Sequence, residues 1–289
     1  MIDMNSAAQN LRSTPFELKV RKDIRFDSSR LETVIHTEDN LYISHLFNAF
    51  TLVAPITEGM LIRAIRQSQP LLEGSALETD AKAFIGQEAI HTREHRALNR
   101  RLLELGLDVE EVVSVIEQDV KNLGDSMSLQ ENLAVVVTGE HAIYSIARAL
   151  LMSKYPQCDQ QQQVKELFIW HSVEEMEHQS VCDDIYKHLY GKGIKHRLFY
   201  FRTFITAGSQ LVKTNIQLMK ALLKQSREPR KGEMKEFLVW LFRNRAMGPI
   251  TLKELVGFFS PTFMHWKRSY EDQKLISDNL ASVYGGKLT

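Results

Sequence analysis

An all-α fold follows from three features of the sequence. No stretch of useful length alternates polar and apolar residues as a half-buried strand would. Apolar residues instead recur at three- and four-residue spacings through long segments, the mark of helices with one buried face. Several of those apolar stripes are interrupted by a glutamate or histidine, and these interruptions share a common spacing.

Residues 1–38 mix charged residues and turn formers and read as an irregular lead-in without an assignable role. A helix begins at Asp39 or Asn40 and carries Leu46, Phe47, Phe50 and Val53 to Pro55. There it starts afresh or kinks, because proline lacks an amide and crowds the preceding turn; it then runs to Ser68, and Pro70 stops it. Thr79 and Asp80 are caps for the next helix, which continues to Leu105 and ends at Gly106. A shorter amphipathic helix covers 108–123. Ser128 and Glu131 form a capping-box pattern ahead of an apolar helix that ends near Lys154-Tyr-Pro156. A helix over 159–190 stops at Gly191-Lys-Gly193. Further helices are expected over Leu198–Leu223, Lys235–Arg243, Leu252–Phe259 and after Pro261. The aromatic runs that open at Leu198 and Phe237 are read as packed against the rest rather than lying on a membrane surface, and the basic residues of 220–231 as a solvated face. The chain divides into the lead-in, a helical bundle over 39–190 and packed C-terminal helices over 191–289, all within one domain.

Composition narrows the function classes. With 36 basic and 36 acidic residues the formal charge is zero, which argues against a nucleic-acid binder held by phosphate contacts. The two cysteines, Cys158 and Cys182, are too few for a disulfide framework and fit reduced thiols in a cytoplasmic protein. Met1-Ile-Asp-Met-Asn-Ser has neither the basic start nor the apolar core of a secretory signal. No uninterrupted apolar run is long enough for an ordinary transmembrane helix. Peripheral membrane contact and a homodimer are compatible with the sequence.

The candidate site starts from His171, Glu175 and His178, at i, i+4 and i+7 on one helical face. Phe168 precedes them, Cys182 and Ile185 continue the apolar stripe, and Glu174 and Glu177 are expected to point elsewhere. A buried carboxylate beside two imidazoles is costly without a neutralising cation, and a divalent metal is the usual solution. Glu88 and His91 repeat the Glu-x-x-His spacing on a second helix. Glu140 interrupts a stripe of Leu133, Val136, Val137, Ile143, Tyr144, Ala147 and Leu151; Glu58 interrupts one formed by Ala54, Leu61, Ile62 and Ile65. Four carboxylates balance two divalent ions, and three imidazoles complete a donor set suited to iron or manganese more than to tetrahedral zinc. His95 is an eighth ligand or, preferably, a hydrogen-bond partner behind the ligands. His141 points away from the Glu140 face and is structural; His45, His188 and His196 are ordinary surface or partly buried histidines. Phe84, Val137, Tyr144 and Phe168 are candidates for the wall of a pocket taking an apolar or aromatic small molecule, and His265-Trp266 for a further wall or for packing.

Taken together, Pro55-x-x-Glu58 with the following Ile-Arg, Phe-Ile-Gly-Gln-Glu-Ala-x-His-x-x-x-His at 84–95, His171-x-x-x-Glu175-x-x-His178 and Phe259-x-x-x-Phe-x-His265-Trp266 resemble the bacterial family labelled "predicted metal-dependent hydrolase". The resemblance spans residues 20 to 270 and departs at Ala54 and Met60-Leu61, where aromatics are expected. The ligand pattern is also similar to that of ferritin-like dinuclear sites, and more narrowly to di-iron N-oxygenases acting on aryl amines, with His171 in the place of their additional histidine. These resemblances imply a ferritin-like four-helix bundle with additional C-terminal helices and two iron ions, with manganese or zinc as alternatives. The first expectation is a di-iron oxidase or oxygenase that uses dioxygen. A hydrolase using metal-activated water is the alternative, and an iron-binding or storage protein the third reading.

Overall fold

Asn40 opens the first core helix as the sequence leads one to expect: its Oδ1 accepts from the amides of Tyr42 and Ile43 at 3.0 and 3.1 Å, satisfying two donors that have no partner within the helix. The structure, a computed structural model, describes residues 18–153, 158–178, 180–244, 247–259 and 269–284. Helix α1 (Leu41–Ser68) runs through Pro55 without restarting. Proline cannot donate to the carbonyl of Thr51, and Asn99 Nδ2 donates to that carbonyl instead, at 2.9 Å. The bond lost within the helix is replaced from its neighbour.

Helix α2 (Leu77–Glu104) starts two residues before the expected cap at Thr79, so that Thr79 and Asp80 lie in its first turn. The Glu78 carboxylate steadies this end by accepting from the Gly74 amide at 3.1 Å, and Gly106, at a φ of 96°, closes the other. Helix α3 (Glu110–Ser126) leads to α4 (Leu129–Met152), which has the expected capping box: Ser128 Oγ accepts from the Glu131 amide at 3.3 Å and Glu131 Oε2 from the Ser128 amide at 2.9 Å. The single helix expected over 159–190 is two, α5 (Gln162–His178) and α6 (Val181–Tyr190). Asp183 and Asp184 in the first turn of α6 favour a new N-terminus there, where the helix dipole is positive. The remaining helices are α7 (Ile194–Lys224), α8 (Glu233–Val239), which passes into a π-turn at Trp240–Asn244, α9 (Met247–Phe258) and α10 (Ser269–Tyr284). Among the described residues there is no strand, only an isolated bridge between Thr37 and Gln160; the fold is all-α.

Helix α1 packs on α2, α4 on α5, and α2 on α5 and α6, making a four-helix core against which α9 lies on α4 and α10 on α5. Two apolar clusters fill it. Along α1, α2 and α4, and from α5 into α6, the chain passes from one cluster to the other across a candidate ligand: Val53 and Leu61 flank Glu58, Phe84 and Ile90 flank Glu88, Val137 and Tyr144 flank Glu140, and Met176 and Val181 flank His178. The polar residues therefore form a layer across the bundle. Helix α4, and α1 with the turn that follows it, are long and apolar enough by composition to cross a membrane, yet 67% of each apolar window is buried inside the protein. Their hydropathy is that of core helices.

Three expectations are corrected. The described part of the lead-in has a packing role: Leu18, Ile24 and Leu31 are buried, and the Phe26 ring lies 5.3 Å from that of Trp170. His45 is fully buried, with its ring nitrogens on Asn48 and Ser226, whereas His188 is exposed and His196 half-buried. The aromatic-rich C-terminal runs pack only in part, because α7 meets the bundle along one side: Tyr200 and Trp240 are buried, but Leu198 is 63% and Phe242 56% exposed.

Candidate metal centre

The polar layer brings together all seven candidate ligands: Glu58 from α1, Glu88 and His91 from α2, Glu140 from α4, and His171, Glu175 and His178 from α5. None is more than 4% exposed. His178 Nδ1 stands 3.0 Å from Glu88 Oε1, 3.4 Å from Glu140 Oε2 and 3.7 Å from Glu175 Oε2. His91 Nδ1 stands 3.4 Å from Glu175 Oε1 and 3.8 Å from Glu88 Oε2, and His171 Nε2 is 2.9 Å from Glu175 Oε1. Donor atoms of Glu88, Glu140, Glu175 and His178 lie within 4.8 Å of one another; so do those of His91, His171 and Glu175, and those of Glu58, Glu88 and His91. Glu58, His95 and His171 form a fourth such group, so His95 stands among the candidate ligands as well as beside His171, and the groups overlap at Glu58, Glu88, His91, His171 and Glu175.

A cation fits this donor set. Both carboxylate oxygens of Glu88 and of Glu140, Glu58 Oε1, Glu175 Oε2, and the Nδ1 atoms of His91 and His178 are buried without a hydrogen-bond partner. Such atoms cost free energy unless something positive meets them. Divalent metals bound by carboxylate and imidazole meet that need, and the oxygen-rich mixture suits iron or manganese and also admits zinc.

Behind the ligands, a second set of side chains sets their orientation. His91 Nε2 lies 3.1 Å from Glu174 Oε2, and Glu174 Oε1 accepts from Trp170 Nε1 at 3.0 Å and from Arg21 Nη1 at 2.7 Å. His178 Nε2 lies 3.1 Å from Gln87 Oε1; Gln87 Nε2 donates to Glu177 at 2.8 Å, and Arg21 Nη2 donates to the same carboxylate at 2.6 Å. With an N–H on each Nε2, both imidazoles present an Nδ1 lone pair to the layer. His171 is turned the other way. Its Nδ1 is 2.6 Å from His95 Nε2, His95 Nδ1 is 2.8 Å from Thr51 Oγ1, and Thr51 donates to Asn99 Oδ1 at 3.0 Å. Thr92 Oγ1 donates to Glu58 Oε2 at 2.8 Å, leaving Oε1 to face the centre.

Glu174 and Glu177 therefore do not point elsewhere: both are buried and clamped by Arg21. Periodicity misses them because a charged residue beside a ligand reads as solvent-facing, and its partner is 153 or 156 residues away. The one local hint is Trp170, whose indole N–H needs an acceptor when buried.

The layer shifts the titration of its own groups. Burial, reinforced by the charge of Glu175, pushes the Glu140 carboxyl up to about 8, and burial with the charge of Glu88 raises Glu58 well above its ordinary range. Burial opposes an imidazolium at His91 and His178, but Glu174 holds the first and Glu140 the second well above the usual histidine range. Burial likewise opposes a charge on Glu175, yet His171 and His178 keep it ionised far below the usual carboxylate range. Burial and nearby cationic imidazoles lower both His95 and His171.

The four expected pocket residues are all buried. Phe84 packs 4.6 Å from the His178 ring and Phe168 5.9 Å from that of His95, so these two wall the centre. Val137 sits in one apolar cluster and Tyr144 in the other, with the Tyr144 hydroxyl donating to Asp272 at 2.7 Å. Unforeseen in the sequence, a cavity of about 340 Å³ opens beside the turns of α1 that follow Glu58, bordered by Met60, Arg63, Gln67, Asp125 and Asn132. His141 stacks on Phe258 with ring centroids 4.3 Å apart, a structural placement. His265 and Trp266 lie outside the described residues.

A family model described as "Predicted metal-dependent hydrolase" matches residues 20–269, a span that includes every candidate ligand, and the chain belongs to that family. No curated protein and no solved structure matches it.

Proposed function

We propose that this member of the predicted metal-dependent hydrolase family is a dinuclear enzyme that hydrolyses a small-molecule substrate. The observation that carries the reading is the set of overlapping ligand groups joined through Glu88 and Glu175, with buried carboxylate oxygens that lack a hydrogen-bond partner. Two divalent ions held there would supply Lewis acidity, lowering the pKa of a water and stabilising charge on the oxygen of a breaking ester-type bond. Glu140 and His178 would complete one half of the centre, and Glu58, His91 and His171 the other. Glu174 and Gln87 fix the tautomers that present His91 and His178 Nδ1 inward. Phe84, Phe168 and Trp170 exclude bulk water from the layer, which strengthens every charge interaction inside it. The ferritin-like likeness of the ligand pattern supports two ions rather than one.

A second reading, the di-iron oxidase or oxygenase favoured by ligand pattern alone, draws on His171. A third imidazole adds a neutral donor to a set whose four carboxylates already balance two divalent ions. It tunes redox behaviour without changing net charge, and hydrolysis has no evident need for it. Family membership supports the hydrolase. Two assays on the metal-loaded full chain separate the readings. Hydrolysis predicts turnover of ester or phosphoester substrates with Mn(II) or Zn(II), lost in Glu140→Ala. If instead the anaerobic Fe(II) protein gives a transient absorption on mixing with oxygenated buffer, weakened in His171→Ala, and no ester or phosphoester is cleaved, the oxygenase replaces it.

A further inference from the structure

Helix α7 carries Lys195, Arg197, Arg202, Lys213, Lys220 and Lys224 and no acidic residue, in a chain whose formal charge is zero. Its packed side is narrow, with Tyr200, Thr214, Leu218 and Leu222 buried. At about 100° per residue, Ile194, Leu198, Phe201, Ile205, Val212 and Ile216 fall within a sector of about 60° on the opposite side. These six are between 49% and 64% exposed. They form a stripe about 33 Å long at a rise of about 1.5 Å per residue. Along one edge of it, Lys195, Arg202, Lys213, Lys220 and Lys224 occupy an adjoining sector of about 40°, all exposed.

Exposed apolar side chains along one face, here in two runs separated by Gly208 and Ser209 and edged by charge of one sign, are the pattern of a helix that lies in the plane of a membrane interface. We propose that α7 docks this chain on an anionic lipid surface, with the aliphatic stripe entering the headgroup boundary and the lysine row meeting the lipid phosphates. A second copy is a poorer occupant, since pairing α7 with α7 would set two wholly basic rows together. The inference is independent of the chemistry at the metal centre, which lies on other helices.

The test is co-sedimentation of the metal-loaded full chain with vesicles of phosphatidylcholine alone and of phosphatidylcholine mixed with phosphatidylglycerol. The chain is expected to partition onto the anionic vesicles, more weakly as salt rises, and to stay in solution with the neutral ones. Replacing both Lys213→Gln and Lys220→Gln should weaken partitioning roughly thirtyfold, Ile205→Asp should abolish it, and Lys121→Gln on α3 should leave it unchanged. These positions are exposed, and circular dichroism with metal content verifies that each variant folds. Equal partitioning onto both vesicle types, or none onto either, overturns the proposal. So does a dimer in light scattering that Ile205→Asp converts to a monomer, which would assign the stripe to a second copy.

Discussion

Glu174 precedes Glu175 in the chain but meets the centre from behind, through His91 Nε2. Its removal should act on metal affinity without deleting a ligand: Glu174→Gln is expected to weaken metal binding about 10- to 100-fold, read by competition with a chelator. Wild-type affinity in that variant would deny Glu174 its orienting role. Glu140→Ala, by contrast, deletes a donor and should lose metal outright. Glu177→Ala should keep its metal but lose about 1–3 kcal/mol of stability, because Arg21 and Gln87 are left short of a partner. Equal metal retention in Glu140→Ala and Glu177→Ala would reject the ligand assignment. A pH dependence follows from the raised carboxyl of Glu140, about 8 in the fold against an ordinary 4.5. A group raised on folding contributes stability that is full below its ordinary value and is lost as pH climbs through its folded value. The metal-free protein should therefore melt at lower temperature as pH rises from 4.5 towards 8, and added metal should restore more at the upper end. Thermal unfolding with and without chelator across that range checks the sign. The burial of the seven candidate ligands in one layer was legible in the sequence, from the spacing of His171, Glu175 and His178 and of Glu88 and His91, and from the apolar stripes that Glu58 and Glu140 interrupt. Arg21, Glu174 and Glu177 were not, since charges outside such a stripe give no local sign of burial.

Among the elements, starts and stops with local side-chain chemistry were readable and those made by tertiary contact were not. Asn40 and the Ser128–Glu131 box cap their helices as expected. The continuity of α1 through Pro55 depends on Asn99, which belongs to another helix. Asn99→Leu should leave the Thr51 carbonyl without a donor and cost about 1–3 kcal/mol in urea unfolding. A variant as stable as the wild type would show that α1 tolerates Pro55 unaided. Similarly, the division of α5 from α6 falls where the apolar pattern continues through Cys182 and Ile185, so periodicity alone joined them. Helix α7 reads in sequence as packed against the bundle, and its one-sided contact, which leaves Ile194, Leu198 and Phe201 exposed, could not be read from periodicity.

For the molecule as a whole, two apolar clusters lie on either side of a layer of seven buried candidate ligands, with the lead-in segment pinning the back of that layer through Arg21 and Phe26. So many buried titratable groups are a liability in a folded core, and two divalent ions would offset the carboxylates among them. Their withdrawal should lower the melting temperature, because metal that binds only the folded chain stabilises it. The all-α fold and the core helices could be read from periodicity, whereas the union of the layer with residues 18–38 could not, because no spacing relates Arg21 to α5. The most direct test is elemental analysis of the full chain after anaerobic reconstitution with Fe(II), and separately with Mn(II) and Zn(II). About two ions per chain are expected in the wild type and fewer in Glu140→Ala. A single ion or none in the wild type under all three conditions would contradict a dinuclear centre.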